Sequence, residues 1–250
     1  MTVFYFTATG NSLAVAKSIG GSLISIPQVV DSDKLHYKDD VIGIVFPIFW
    51  WNLPIIVRQF MDKATLEADY LFAIGTYGNI VGGAMVNIQK QARQKGYSFN
   101  YINTVRMVDN YLSVFDMEKQ VKGLPKKNVP ECIALIVSDI NERKNREARA
   151  HIGTKALTPL LGRRFKPDKS ALKYTVDDRC TTCGICAQVC PVKNIAVSKK
   201  VEFYKHCEGC MACLHLCPQT ALHCKGEKND KRWRHPDVSL KEIIEANNRL

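Results

Sequence analysis

The sequence predicts two unlike parts: a doubly wound α/β domain with a parallel sheet, followed by a small α+β domain organised by metal. Three observations predict this. Over roughly the first 150 residues, short β-branched and aromatic runs alternate with helical periodicity, the pattern of a parallel sheet covered on both faces. The first run leads through a Thr/Gly turn directly into a helix. Of the ten cysteines, nine follow residue 179, and eight of those form two identical tight arrays. At 250 residues and 46% hydrophobic, the chain has material for two cores.

Taken in order, residues 2–6 read as a strand and Asn11 to Gly20 as a helix closed by glycine. Apolar runs at Val41 to Phe46 and Tyr70 to Ile74 read as strands, with helices at Pro54 to Ala64 and Gly83 to Lys95 between and after them. A strand near Phe99 to Met107 and a helix from about Pro130 to Arg146 complete the first domain, assigned to residues 1–150. The stretch from Glu142 to Lys173 is dense in Arg and Lys and is punctuated by Gly153, Pro159, Gly162 and Pro167, so 151–175 is expected to be a basic connector. Residues 176–225 hold the cysteine arrays, and 226–250 form a charged segment ending in a helix, with Ser239 as N-cap and Glu242 at its third position.

The arrays are an internal duplication: Cys180-x2-Cys183-x2-Cys186-x3-Cys190-Pro191 recurs as Cys207-x2-Cys210-x2-Cys213-x3-Cys217-Pro218. A [4Fe–4S] cubane needs four converging thiolates, and this spacing wraps three cysteines of one loop around one cluster. In the two-cluster arrangement the cysteine before each proline serves the other cluster, which assigns Cys180, Cys183, Cys186 and Cys217 to one and Cys207, Cys210, Cys213 and Cys190 to the second. Gly184 and Gly209 let backbone amides approach the sulfides. Cys-x2-Cys also suits zinc, but tetrahedral zinc wants paired dyads rather than four cysteines and a trailing proline, twice. The segment resembles bacterial two-cluster ferredoxins, and all eight ligand positions match that pattern. Cys132 and Cys224 stand outside it.

Thr7-Ala8-Thr9-Gly10-Asn11-Ser12 gathers hydroxyls, an amide and helix N-terminal N–H groups around one point, a cradle for an anion. The loop resembles the flavodoxin phosphate loop, with Ser12 where that pattern has its last threonine. The resemblance implies a flavodoxin-like fold and bound FMN. Pro47-Ile48-Phe49-Trp50-Trp51-Asn52 and Thr76-Tyr77-Gly78 then fall where that fold places its flavin-contacting loops. Adjacent aromatics after a strand suit a flat ring, though one tryptophan serves equally well in a core or interface. Asp109-Asn110-Tyr111, after the next strand, is a further candidate wall.

With both halves in view, the chain resembles flavodoxin-ferredoxin fusion proteins of anaerobic bacteria, which implies FMN plus two [4Fe–4S] clusters in one polypeptide. The function expected is an electron-transfer iron-sulfur flavoprotein that relays single electrons between the clusters and FMN. The alternative is a ferredoxin-dependent FMN reductase acting on a small organic acceptor. No Gly-x-Gly-x-x-Gly fingerprint follows a predicted strand, so no dedicated NAD(P)H domain is expected, and no nucleophile-base pair assigns a catalytic residue.

Lys and Arg number 35 against 24 Asp and Glu, a formal +11. Two oxidised clusters with their thiolates carry about −2 each and a flavin phosphate up to about −2, leaving roughly +5. The charge suits a redox partner with an acidic face. Nucleic acid is not expected: the basic stretch Arg143, Lys144, Arg146, Arg149, Arg163, Arg164 and Lys166 has only Phe165 interleaved. Without a basic n-region, an apolar h-region or a membrane-length apolar run, the expected location is cytoplasmic.

Overall fold

The computed structural model describes residues 1–33, 35–148 and 167–248. The chain opens with β1 (Thr2–Tyr5), α1 (Asn11–Ile19), β2 (Ser22–Ser25) and α2 (Ile26–Val29). β3 (His36–Lys38), β4 (Val41–Pro47), α3 (Ile55–Lys63), β5 (Thr65–Glu67) and β6 (Tyr70–Tyr77) follow. Next come α4 (Ala84–Gln94), β7 (Tyr101–Arg106), α5 (Met117–Lys122) and α6 (Val129–Asn141).

Five strands pair in the order β2-β1-β4-β6-β7, and every pairing is parallel. Counting only these strands, the order is 2-1-3-4-5, that of the flavodoxin-like doubly wound fold, whose switch point lies between the first and third strands. β4 and β6 are buried on both faces, which is why they read as unbroken apolar runs rather than alternating ones. Phe4, Phe46, Phe60 and Phe72 are fully buried in the core around the sheet. Gly43 admits the Phe72 ring from the neighbouring strand: a Cβ there would fall 1.9 Å from it.

Two expectations are corrected here. The helix expected over 130–146 ends at Asn141, because Arg143 adopts φ 51 and closes it with Lys144 N–H on the Asp139 carbonyl and Arg143 N–H on that of Ile140. Past Ile140 no apolar residue continues the buried stripe, so nothing carries the helix onward. Instead Arg146 lies along the sheet edge, bridged to Tyr101. The second correction is β2, absent from the sequence reading: its Ser-Leu-Ile-Ser run is a half-exposed edge with little apolar signal.

Of the basic stretch, Arg143 pairs with Asp40, and Lys144 with Asp139 at 2.9 Å and Glu142 at 3.1 Å. Arg149, Arg163, Arg164 and Lys166, and most of the expected connector, lie outside the described residues.

The second part contains β8 (Thr175–Val176), α7 (Ile185–Gln188), β9 (Ile195–Val197), β10 (Val201–Phe203), α8 (Ala212–His215) and β11 (Leu222–His223). β8 pairs with β11 and β9 with β10, both antiparallel. The duplication is therefore structural: moving 27 residues on, the separation of Cys180 and Cys207, carries β8 onto β10 and β9 onto β11.

The chain then returns to the first domain. Trp233 donates its indole N–H to the Asn11 amide oxygen at 2.9 Å, and His235 N–H to the Thr9 carbonyl at 2.8 Å. The last helix, α9 (Leu240–Asn247), begins with a capping box between Ser239 and Glu242. From its end the fully buried Asn247 donates to the carbonyls of Thr7 and Val189, one on each domain. Among the described residues no helix is long and apolar enough to cross a membrane.

Candidate functional site

A cavity of about 250 Å³ opens at the C-terminal ends of β1, β4 and β6, the edge where parallel sheets bind ligands. From the loop after β1 it receives Thr7, Ala8, Thr9, Asn11 and Ser12; from the loop after β4, Pro47, Ile48, Phe49, Trp50 and Trp51; and from the end of β6, Thr76, Tyr77 and Gly78. Gly10 and Asn52, placed by the sequence with the cofactor-contacting residues, do not line the cavity itself. Gly10 adopts φ 98 as the N-cap of α1, and a Cβ on it would meet that of His235 at 2.9 Å, so it faces the returning C-terminal segment. Asn52 closes the aromatic turn, its side-chain oxygen accepting from Leu53 N–H and the Asn87 amide.

That turn is a two-residue hairpin with both Trp50 (φ 51) and Trp51 (φ 62) in the left-handed region, between reciprocal Phe49–Asn52 backbone bonds. For non-glycine residues this costs roughly 1 kcal/mol each, strain of the kind found at ligand clamps. Two contacts hold it: Trp50 meets Tyr111 edge-on at 4.7 Å, and Trp51 packs where Gly82 leaves room.

At the other end, Thr7 and Thr9 hydroxyl oxygens accept from Gly10 N–H and the Asn110 amide. Each threonine keeps its own proton to donate. With the first-turn N–H groups of α1, a helix with no acidic residue in its first turn, this is a neutral cradle for a phosphate. The hydroxyls and the flat aromatic walls fit FMN, while Gly78 makes room for the Asp109 side chain, which fills the place of a Cβ there.

Sequence reasoning left two walls unassigned or weakly assigned. The loop after β7 supplies Val108, Asp109, Asn110 and Tyr111, and the second domain supplies Gly209 and Met211, the residues on either side of Cys210. Met211 stands at φ 59, a conformation its repeat counterpart Gly184 adopts without cost at φ 80. Its sulfur accepts from Leu112 N–H at 3.3 Å.

Burial pushes the Asp109 carboxyl above the usual range, against the Tyr111 N–H, the Asn79 amide and the Lys127 charge, which favour the carboxylate. A carboxyl raised above its unfolded value of about 3.9 gives stability that is complete below that value and lost as pH rises through the folded one. Asp109→Asn should therefore flatten this dependence and stabilise the apoprotein at pH 7 relative to wild type, but not at pH 3.5, as read by urea denaturation at both.

The cysteines fall into two groups. Cys180, Cys183, Cys186 and Cys217 line one small cavity with Val197, Val201 and Leu222. Cys207, Cys210 and Cys213 lie close enough to Cys190 for its sulfur to perturb all three. Burial, reinforced by neighbouring sulfurs, pushes the Cys186 and Cys207 thiols up to about 11 and those of Cys210 and Cys213 well above their ordinary value. Cys210 and Cys213, desolvated beside the sulfurs of Cys207 and Cys190, hold their protons until a soft cation displaces them, and such surroundings fit iron–sulfur ligation. Backbone N–H groups of Gly209, Asn194 and Ala221 already point at the sulfurs of Cys207, Cys190 and Cys217, at 3.2, 3.2 and 3.4 Å.

Neither remaining cysteine joins a group. Cys132 packs against the first core from α6, and Cys224 follows β11 with its sulfur 3.3 Å from the Ser113 hydroxyl.

Glu208, between Cys207 and Gly209, is 3% exposed, and its carboxylate accepts from Ile55 N–H at 3.0 Å and from Ile56 N–H. α3 has no side-chain cap of its own, its N-cap being Pro54. The second domain thus caps a helix of the first.

The profile of the 4Fe-4S dicluster domain matches residues 172–218. No curated protein matches. Among solved structures, a Bacteroides uniformis protein assigned as a flavoprotein is 17% identical over 48% of this chain and 95% of its own, with a TM-score of 0.33. One from Bacteroides eggerthii is 20% identical over 51% and 97%, also at 0.33. Two-electron reduced flavodoxin from Megasphaera elsdenii is 18% identical over 41% and 83%, at 0.30. The assignment of the first domain rests on its strand order rather than on these likenesses. By strand order and by cysteine pattern, the chain is a flavodoxin-like α/β domain joined to an iron–sulfur domain of the 4Fe-4S dicluster kind.

Proposed function

We propose that this chain is an electron-transfer iron–sulfur flavoprotein, passing single electrons through two [4Fe–4S] clusters to and from FMN in the aromatic cavity. One observation carries the reading: Gly209 and Met211, flanking Cys210, form part of the cavity wall. The cluster of Cys190, Cys207, Cys210 and Cys213 would thus adjoin the flavin. The other, held by Cys180, Cys183, Cys186 and Cys217, includes the exposed Cys183 and would meet the partner. The order is then partner, outer cluster, inner cluster, flavin.

FMN, when bound, exchanges one or two electrons and so joins single-electron donors to two-electron chemistry. The chain's own residues bind and shield. Thr7, Thr9 and the start of α1 would hold the phosphate, and Trp50, Tyr77 and the Gly78 backbone would line the place of the ring. Among the described residues lining the cavity, Asp109 is the one carboxyl group. The formal +11 favours a redox partner with an acidic face, so added salt should slow reduction by that partner.

Anaerobic purification with iron, sulfide and flavin quantitation tests the reading. About eight irons and one FMN per chain are expected. Colourless protein, or protein loaded with zinc alone after reconstitution, would refute it.

A further inference from the structure

We infer that the Tyr174 hydroxyl donates a hydrogen bond to a sulfur of the cluster held by Cys190, Cys207, Cys210 and Cys213, and so sets that cluster's potential above its partner's. This rests on the two-cluster reading above and adds a direction to it.

The starting point is an orphan. The Tyr174 oxygen is fully buried, and no hydrogen-bond partner for it stands among the described residues. A buried hydroxyl with no acceptor is destabilising, and the site is expected to provide one. The ring meets Phe203 edge-on at 5.8 Å, and the groups nearest in effect to the hydroxyl are the sulfurs of Cys213, Cys207 and Cys210. A phenol keeps its proton throughout the working pH range, so the group is available as a donor. Thiolates and inorganic sulfides are acceptors only, and the group completes its bond when the cluster is in place.

The duplication supplies the comparison. Tyr174 precedes Cys180 by six residues, and Val201 precedes Cys207 by six. The repeats cross over: Val201 lines the cavity of Cys180, Cys183, Cys186 and Cys217, while Tyr174 faces the other set. Val197, which also lines the first cavity, has Cys224 as its counterpart, and Cys224 acts on the Tyr174 hydroxyl. At equivalent places one cluster therefore meets two valines, whereas the other meets the Tyr174 phenol. A hydrogen bond to a cluster sulfur strengthens as the cluster gains an electron and negative charge, which raises its potential. No proton would be transferred: with both clusters bound, an electron lost by the outer one would be gained by the inner one, next to the cavity that Gly209 and Met211 help to wall.

Tyr174→Phe removes the oxygen and keeps the ring. Redox titration of the anaerobic holoprotein, followed by EPR, should show one cluster shifted to lower potential and the other unmoved. In wild type labelled with 17O in its tyrosine phenols, ENDOR should show an 17O coupling at one reduced cluster, a signal to which the backbone N–H groups on the sulfurs contribute nothing. This measurement decides the matter in wild type even if the variant fails to fold. Both midpoints unmoved at full iron content, or no such coupling in wild type, overturns the inference alone. Wild-type protein that cannot be loaded to two clusters overturns the cofactor reading and this inference with it.

Discussion

Glu208→Ala is expected to destabilise the protein by about 3 kcal/mol and to loosen both cofactor sites together. The carboxylate receives two backbone N–H groups at the start of α3, where no residue of the first domain provides a side-chain cap. Losing a cap costs about 1 kcal/mol, and leaving two buried donors unsatisfied in the positive end of a helix adds about 2 more. α3 starts immediately after the aromatic turn, and Glu208 sits between the ligand Cys207 and Gly209 of the cavity wall. The variant should therefore release flavin more readily and lose inner-cluster iron faster in air, while Glu208→Gln, which keeps an acceptor but not the charge, should fall between it and wild type. Denaturation midpoints and flavin retention on gel filtration provide the check. An alanine variant with wild-type stability would mean that the two N–H groups find other partners.

What could be read from sequence alone followed from how local each determinant is. β4 and β6 were legible because burial on both faces leaves an unbroken apolar run, and the cavity-lining loop after β1 because its hydroxyls lie within six consecutive residues. β2 was not, since an edge strand of four residues with serine at both ends carries no such run. The end of α6 was missed because Arg143 occupies a left-handed position that glycine usually announces.

The second wall of the cavity depends on packing between domains, which periodicity does not encode. Yet a signal existed in the places where the repeats disagree: Thr181 against Glu208, Gly184 against Met211, Val201 against Tyr174. The odd member of each pair faces something its counterpart does not. Glu208 faces α3, Met211 the cavity at the sheet edge, and Tyr174 the sulfurs of Cys207, Cys210 and Cys213. A duplicated sequence departs from itself where its two copies meet different neighbours.

The crossing of ligands between repeats makes a prediction of comparable size. Cys190→Ala should remove the inner cluster rather than that of its own array, and Cys217→Ala the outer one, each variant keeping about four of eight irons. Spectroscopically, Cys190→Ala should then resemble Cys213→Ala, and Cys217→Ala should resemble Cys186→Ala. Only the first pair should also disturb the flavin absorption band, because Gly209 and Met211 belong to the loop that holds the inner cluster and line the cavity as well. Reduction of flavin by a protein donor should collapse in both pairs, at least 100-fold, since removing one station breaks a series path. The outcome that would sink the assignment is pairing by sequence neighbourhood, with Cys190→Ala matching Cys186→Ala. In that event each array would hold its own four-cysteine site, the sulfurs that share a cavity would not share a cluster, and the domain would lose the cross-linking that ties its halves together.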